Sequence, residues 1–300
     1  MPTERPCLLC GSAQRHLLRR SLTGGLELRT VICLDCGLVY DHPMPTEQER
    51  LAALGGRPAC LHCPGGTAPG RLTRRARGNA ARYVAALGET LTASRTLLDV
   101  GCGEGALLRA AAVRGLEAVG VEPDPQSAAT ARAVSGAEVF AAPFGAADLG
   151  GRRFDLVTVT HVLEHVGDPL ALLGKARALL AQGGALFVEV PNVMRPQMSC
   201  RRMFPPAHLV YYSPVTLVAM LRQAGLRAVQ RRVYRRECVS VLARPDPNPA
   251  GRQRLPGHAE EVLAALRRHR WAYYAALMFG WRKVPWVRDR VFYAAREERL

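Results

Sequence analysis

The stretch LLDVGCGEG, Leu97 to Gly105, decides the fold. An apolar run of strand length reaches an acid and then breaks into three glycines at alternate positions, Gly101, Gly103 and Gly105. Glycine tolerates positive φ and lets a ligand lie against the backbone with no Cβ in the way. In an open α/β sheet, ligands bind beyond the carboxyl ends of the strands, where such loops sit. The spacing here is GxGxG, whereas the dinucleotide fingerprint is GxGxxG. A ligand without a pyrophosphate is therefore favoured, and a nicotinamide dehydrogenase is the distant alternative.

Working outward from that loop, the apolar runs TLLDV, EAVGVE, AEVFAA, FDLVTVT and ALFVEV alternate with Ala- and Leu-rich helical text. That alternation predicts a parallel sheet with helices on both faces. The segment LVAMLRQAG reads as a helix stopped by Gly225, and RAVQRRVY and CVSVLAR read as two further strands. Upstream, NAARYVAALGETL (79–91) has helical spacing. Downstream, PDPNPAG reads as a linker, and 258–300 as two or three basic amphipathic helices carrying all three tryptophans.

The 300 residues are 48% hydrophobic and 22% charged, a globular composition. No signal-type apolar core follows the charged N-terminus, and WAYYAALMFGW (271–281) is far short of the ~20 residues a spanning helix needs. A cytoplasmic, reducing location is the expectation, in which cysteines serve as metal ligands or buried thiols. The net charge is +16, and from Arg195 onward 21 arginines and lysines face 7 acids. This excess fits an anionic partner, RNA or an acidic membrane surface, and equally an arginine-rich solvated face.

Glu122 ends the second strand of the glycine-loop unit, where a carboxylate can accept both hydroxyls of a ribose. HVLEHV supplies His161, Glu164 and His165 where the fourth strand leaves the sheet. His161 is the first choice for a site-facing side chain; a helix cap with a partly buried histidine is the bland alternative.

Together LLDVGCGEG, VGVEPD, FDLVTVTHVLEHV and ALFVEVPN resemble the class I S-adenosylmethionine-dependent methyltransferases, in order and spacing, over about 96–245. The resemblance implies a Rossmann-like, doubly wound seven-stranded α/β sheet whose last strand is antiparallel and inserted between its neighbours. It places Asp99 and the loop Gly101, Cys102, Gly103, Gly105 at the amino-acid part of the cofactor. Glu122, followed by Pro123, would hold the ribose, and Ala142 to Phe144 would lie near adenine, without the acidic or polar residue the family often has there. His161, Glu164, His165 and His208 become the catalytic candidates, with His161 also touching the cofactor and His208, on the acceptor side, favoured as base. The block FPPAHLVYYSPVTLVAMLRQAG also resembles this family, with Tyr211 and Tyr212 as candidates to pave the substrate side. The spacing of 161, 164 and 165 with a distant histidine further resembles a metal site of some RNA-end and catechol-type methyltransferases, which carry a carboxylate where this chain has His161.

Cys7-x-x-Cys10 and Cys33-x-x-Cys36 form two knuckle-like pairs, the spacing that four thiolates of a closed structural zinc site require. CLLCGS and VICLDCGLVYDHPMPTEQE resemble the N-terminal zinc ribbon that precedes the methyltransferase domain in a large bacterial family, some of whose members modify sugars. Cys60-x-x-Cys63 departs from that pattern and stays open between a second metal, a substitute ribbon pair and an incidental pair. The expected organisation is a zinc ribbon (1–45), a linker and helical lead-in (46–90), a methyltransferase domain (91–245) and a basic helical C-terminal extension (246–300). The expected function is methyl transfer to O or C of a small-molecule or sugar-bearing acceptor. An RNA methyltransferase, for which the basic C-terminus speaks, and a non-catalytic cofactor-binding protein are the rivals. Peripheral membrane contact through the C-terminal helices stands beside their packing over the site or against a second subunit.

Overall fold

The computed structural model describes residues 5–55, 71–196, 203–234 and 238–278. Cys60, Cys63, Cys200, Trp281 and Trp286 lie outside the described residues. The lead-in is α1 (Glu47–Ala53), α2 (Arg74–Leu87) and α3 (Glu89–Ala93). The single helix expected over 79–91 is broken at Gly88, whose φ of 47° ends α2 and caps α3.

Then follow β4 (Thr96–Val100), α4 (Ala106–Ala112), β5 (Glu117–Val121), α5 (Pro125–Ser135) and β6 (Glu138–Phe140). The second half holds β7 (Phe154–Thr160), α6 (Pro169–Ala178), β8 (Leu180–Pro191), α7 (Pro214–Gln223), β10 (Leu226–Tyr234) and β11 (Cys238–Pro245). The seven strands run in the order β10-β11-β8-β7-β4-β5-β6. All neighbours are parallel except β11, which is antiparallel to both β8 and β10 and lies between them. The Rossmann-like fold with its inserted last strand is thus the fold found. Central strands covered on both faces explain the unbroken apolar runs: Leu97, Leu98, Leu156, Val157, Val159, Leu186 and Val188 are all fully buried.

At Gly105 the chain turns from sheet to helix with φ of 78°, and a Cβ there would lie 2.7 Å from the Ala131 backbone. Gly105→Ala should therefore lower stability by about 2–3 kcal/mol, read as a shift in the urea midpoint, because positive φ and overpacking add.

The N-terminal residues form a second sheet of β1 (Arg15–Thr23), β2 (Leu26–Cys33), β3 (Val39–Asp41) and β9 (Val210–Tyr211), in that order. β9 comes from the segment between β8 and α7, so the N-terminal sheet is closed by a piece of the chain that also builds the large sheet. The C-terminal extension joins the same module. Arg252 and His258 lie where a Cβ on Gly11 or Gly37 would stand, and Leu255 N–H donates to the Asp35 carbonyl. Helix α8 (His258–Met278) packs Ala259, Val262 and Leu266 against Ile32, Val39 and Tyr211. Where two or three helices were expected over 258–300, the described part is this one helix. Among the described residues no helix is long and apolar enough to cross a membrane.

Candidate active site at the carboxyl edge of the sheet

The glycine loop holds φ of 70°, 53° and 78° at Gly101, Gly103 and Gly105. Gly101 is pressed against Val162, whereas a Cβ on Gly103 would meet nothing within 4 Å, which leaves that backbone open to a ligand. Glu122 Oε2 accepts from the Gly103 N–H (2.9 Å) and Oε1 from the Asp124 N–H (3.0 Å), so its carboxylate is fixed beside the loop. Asp99 is buried at the end of β4 and accepts from Thr158 Oγ1 at 2.7 Å. Burial, only partly offset by that bond, raises its pKa to about 7, and burial likewise raises Glu122. Cys102 turns its sulfur inward toward Gly120, so only its backbone faces the loop. Pro123 is exposed at the turn into α5. Phe144 is buried in the core, and its carbonyl accepts from Lys175.

The histidine candidates gather at the ends of β7 and β8. His161 adopts φ of 55°, a conformation non-glycine residues enter at a cost of order 1–3 kcal/mol. Its ring lies between two buried carboxylates, with Nδ1 3.3 Å from Glu164 Oε1 and Nε2 3.3 Å from Glu189 Oε1. Burial pulls the His161 pKa down, but Cys238, Glu164 and Glu189 outweigh it and hold the ring well above its ordinary value. Burial pushes Glu164 up, yet the bond from His161 and the nearby charges of His161, His165 and His208 win and lower it to about 2. The two carboxylates therefore favour the protonated ring, which suits binding and orientation better than proton abstraction.

His165 follows in a one-turn 3-10 helix (Leu163–His165), with Nδ1 2.9 Å from the Ala207 carbonyl. A carbonyl oxygen only accepts, so Nδ1 carries a proton, and in the Nδ1–H tautomer Nε2 keeps its lone pair. The buried His208 ring packs edge-on against His165 at 4.8 Å. Glu164, His165 and His208 bring ligand atoms within 4.8 Å of one another, while His161 belongs with Glu189 and Cys238. The four candidates thus divide into two clusters joined by the His161–Glu164 pair. Tyr211 and Tyr212 do not pave the site: both are buried, with their hydroxyls donated to the carbonyls of His208 and Leu163. Tyr211 is carried into one core by β9, and Tyr212 into another next to its bridge with Asn192.

Glu189 and Arg82 escaped the sequence reading, which takes Cys238 for a buried or loop thiol and not a ligand. Arg82 of α2 is ion-paired with Glu189 at the end of β8. A lone acid in an otherwise apolar strand, FVEV, was the one available signal for Glu189. In the N-terminal module, Cys7 and Cys36 sulfurs lie 3.5 Å apart and Cys10 and Cys33 sulfurs 3.4 Å apart, all four within 4.8 Å. Tetrahedral zinc would separate thiolates by about 3.8 Å, so the set is almost preformed.

A doubly wound sheet with an open glycine loop and acids at successive strand ends is an architecture that binds a small ligand at its carboxyl edge. A family model described as a methyltransferase domain matches residues 72–231, and the chain belongs to that family. It is 33% identical over 152 residues to a ubiquinone biosynthesis O-methyltransferase of Cereibacter sphaeroides, covering 45% of this chain and 62% of that protein. The counterpart from Xanthomonas euvesicatoria pv. vesicatoria is 32% identical over 152 residues, covering 45% and 64%. The chain therefore spans about three fifths of the length of these relatives. In fold it is similar to the Burkholderia thailandensis 1,6-didemethyltoxoflavin-N1-methyltransferase, with a TM-score of 0.51, 21% identity and coverage of 78% and 100%.

Proposed function

We propose that this chain transfers the methyl group of S-adenosylmethionine to a hydroxyl oxygen of a small-molecule acceptor, with His165 taking the hydroxyl proton. The observation that carries the reading is the His165 ring, whose Nδ1–H is committed to the Ala207 carbonyl and whose Nε2 is left as an acceptor. Oxygen as the atom methylated is supported by relatives named as O-methyltransferases. Bound in this site, S-adenosylmethionine would supply a methyl group already activated on a sulfonium. The residues fit it: the Gly103 backbone has open space, Glu122 offers a carboxylate at a strand end, and Asp99 offers negative charge behind the loop. The protein's task is then alignment and exclusion of water, with proton removal from the acceptor at His165. The acceptor oxygen would take the methyl carbon, leaving a neutral thioether, while His165 Nε2 would hold the released proton.

Incubation of the purified chain with cell extract and methyl-labelled cofactor tests this, with label expected in low-mass, ether-stable products. Label in RNA, or none transferred, overturns it. In the same reading Cys7, Cys10, Cys33 and Cys36 hold one structural zinc, supported by their near-tetrahedral spacing.

Asp99 makes cofactor binding pH-dependent. A positively charged ligand prefers the ionised carboxylate, and Asp99 ionises only above about 7 in the free protein. Affinity should rise with pH, by about eightfold from about pH 6 to about pH 7.5, because the ionised fraction grows by that factor. Calorimetry across this range reads it, and Asp99→Asn should bind more weakly with the slope abolished.

A further inference from the structure

Three donors of different chemistry meet at the ends of β7 and β8 and the start of β11. His161 Nε2 lies 3.3 Å from Glu189 Oε1 and 3.9 Å from Cys238 Sγ, and the three ligand atoms all fall within 4.8 Å. Three corners of a tetrahedral zinc site would separate nitrogen from oxygen by about 3.4 Å and nitrogen from sulfur by about 3.6 Å. Closing the set therefore needs side-chain movements of a few tenths of an ångström at the nitrogen. Glu189 Oε1 is buried without a well-formed hydrogen bond, its contact with the edge of the His161 ring being 3.3 Å, so a metal cation between the two would satisfy it.

The surroundings are those of a supported metal site. The other Glu189 oxygen is held by Arg82, which fixes the carboxylate. Glu164 Oε1 stands 3.3 Å from His161 Nδ1, so the Nδ1 proton points at Glu164 and Nε2 is left to bind metal. The charges also balance. A dication with the Glu189 carboxylate and a Cys238 thiolate is neutral, and Arg82 cancels Glu164. The proton of the Cys238 thiol and that on His161 Nε2 leave to solvent as the ion enters.

We propose that His161, Glu189 and Cys238 form a second metal site, distinct from the four-cysteine cluster, that takes zinc or a cation of its class. The thiolate and imidazole select such an ion over magnesium or calcium, which want oxygen ligands. Three protein ligands leave a fourth position open, the arrangement of a reactive zinc site, not a structural one. The His161 side chain is 35% exposed, so this position can be reached from outside. An acceptor oxygen placed there would be polarised beside the glycine loop; that role rests on the methyl-transfer reading, while metal binding itself does not.

The test counts metal. The full chain and its Cys238→Ala and Glu189→Gln variants are dialysed against buffered zinc, and zinc per chain is measured by mass spectrometry. Each variant should hold one equivalent fewer than the parent and still keep the equivalent lost in Cys7→Ser/Cys10→Ser. Cobalt loading gives a second readout: the parent-minus-Cys238→Ala spectrum should contain a thiolate-to-cobalt band from a single sulfur. Equal zinc in the parent and Cys238→Ala, with no difference band, overturns the site. Cys238 is only half-buried, so its alanine variant remains informative if Glu189→Gln fails to fold. These readouts need no turnover, so a failure here is separable from a failure of the methyl-transfer assay.

Discussion

Replacing His165 by alanine should lower turnover by ~100-fold or more while cofactor affinity changes little. Stopped-time assays with labelled cofactor, beside calorimetry of the cofactor alone, measure both. His165 is separated from Asp99 and Glu122 by β7, whose far neighbour β4 carries the glycine loop, so loss of its ring leaves the cofactor residues in place. Glutamine is the sharper substitution, since its amide can still donate to the Ala207 carbonyl but cannot accept a proton at the acceptor. If His165→Gln restores most of the rate, the ring only positions the Ala207 segment and the base reading fails. His208→Ala should cost less than His165→Ala, because His208 acts by packing edge-on against the His165 ring. A larger loss in His208→Ala would return the base to that residue.

The parts of this molecule visible in its sequence are those fixed by local rules. The glycine loop announces itself because three backbone conformations there need glycine, and β4, β7 and β8 read as strands because burial on both faces leaves them apolar throughout. The knuckles show for a similar reason, since cysteines paired three positions apart with Gly11 and Gly37 at positive φ are a local pattern. What stayed hidden depends on register between distant segments. Glu189 matters because β8 pairs with β7 so that Glu189 faces Thr160, the residue before His161. Cys238 reaches the same place because β11 pairs with β8 opposite Pro191. Arg82 arrives from a helix more than a hundred residues away in sequence. β9 is two residues long, and no periodicity can be read from two residues. Hence the expectation that Tyr211 and Tyr212 face substrate, when the bridge of Tyr212 with Asn192 and the pairing of β9 with β3 turn them into the cores.

That pairing gives the second large effect. On the proposal that the four-cysteine cluster holds zinc, removing that ion, or Cys33→Ser, should abolish measurable methyl transfer under standard assay conditions while S-adenosylmethionine still binds. Structural zinc contributes on the order of 10 kcal/mol or more to small thiolate domains, so its loss melts the turn that sets β2 against β3. β3 is the partner of β9, with Val39 opposite Tyr211 and Tyr40 opposite Val210, and the Asp41 N–H donates to the Leu209 carbonyl. The Leu209 N–H in turn donates to the Glu164 carbonyl at 2.7 Å, and Ala207 supplies the carbonyl that orients His165. Freed from β3, the segment 207–211 loses its register and with it the tautomer and direction of the His165 ring. Asp99, Gly103 and Glu122 hang on β4 and β5, on the far side of β7, and hold their places without the module. A metal-free chain that binds the cofactor with near-native affinity but no longer turns over is the expected result. Full activity without metal would mean that the 207–211 segment is held by the large sheet alone, through the Tyr212 carbonyl and the Val193 N–H.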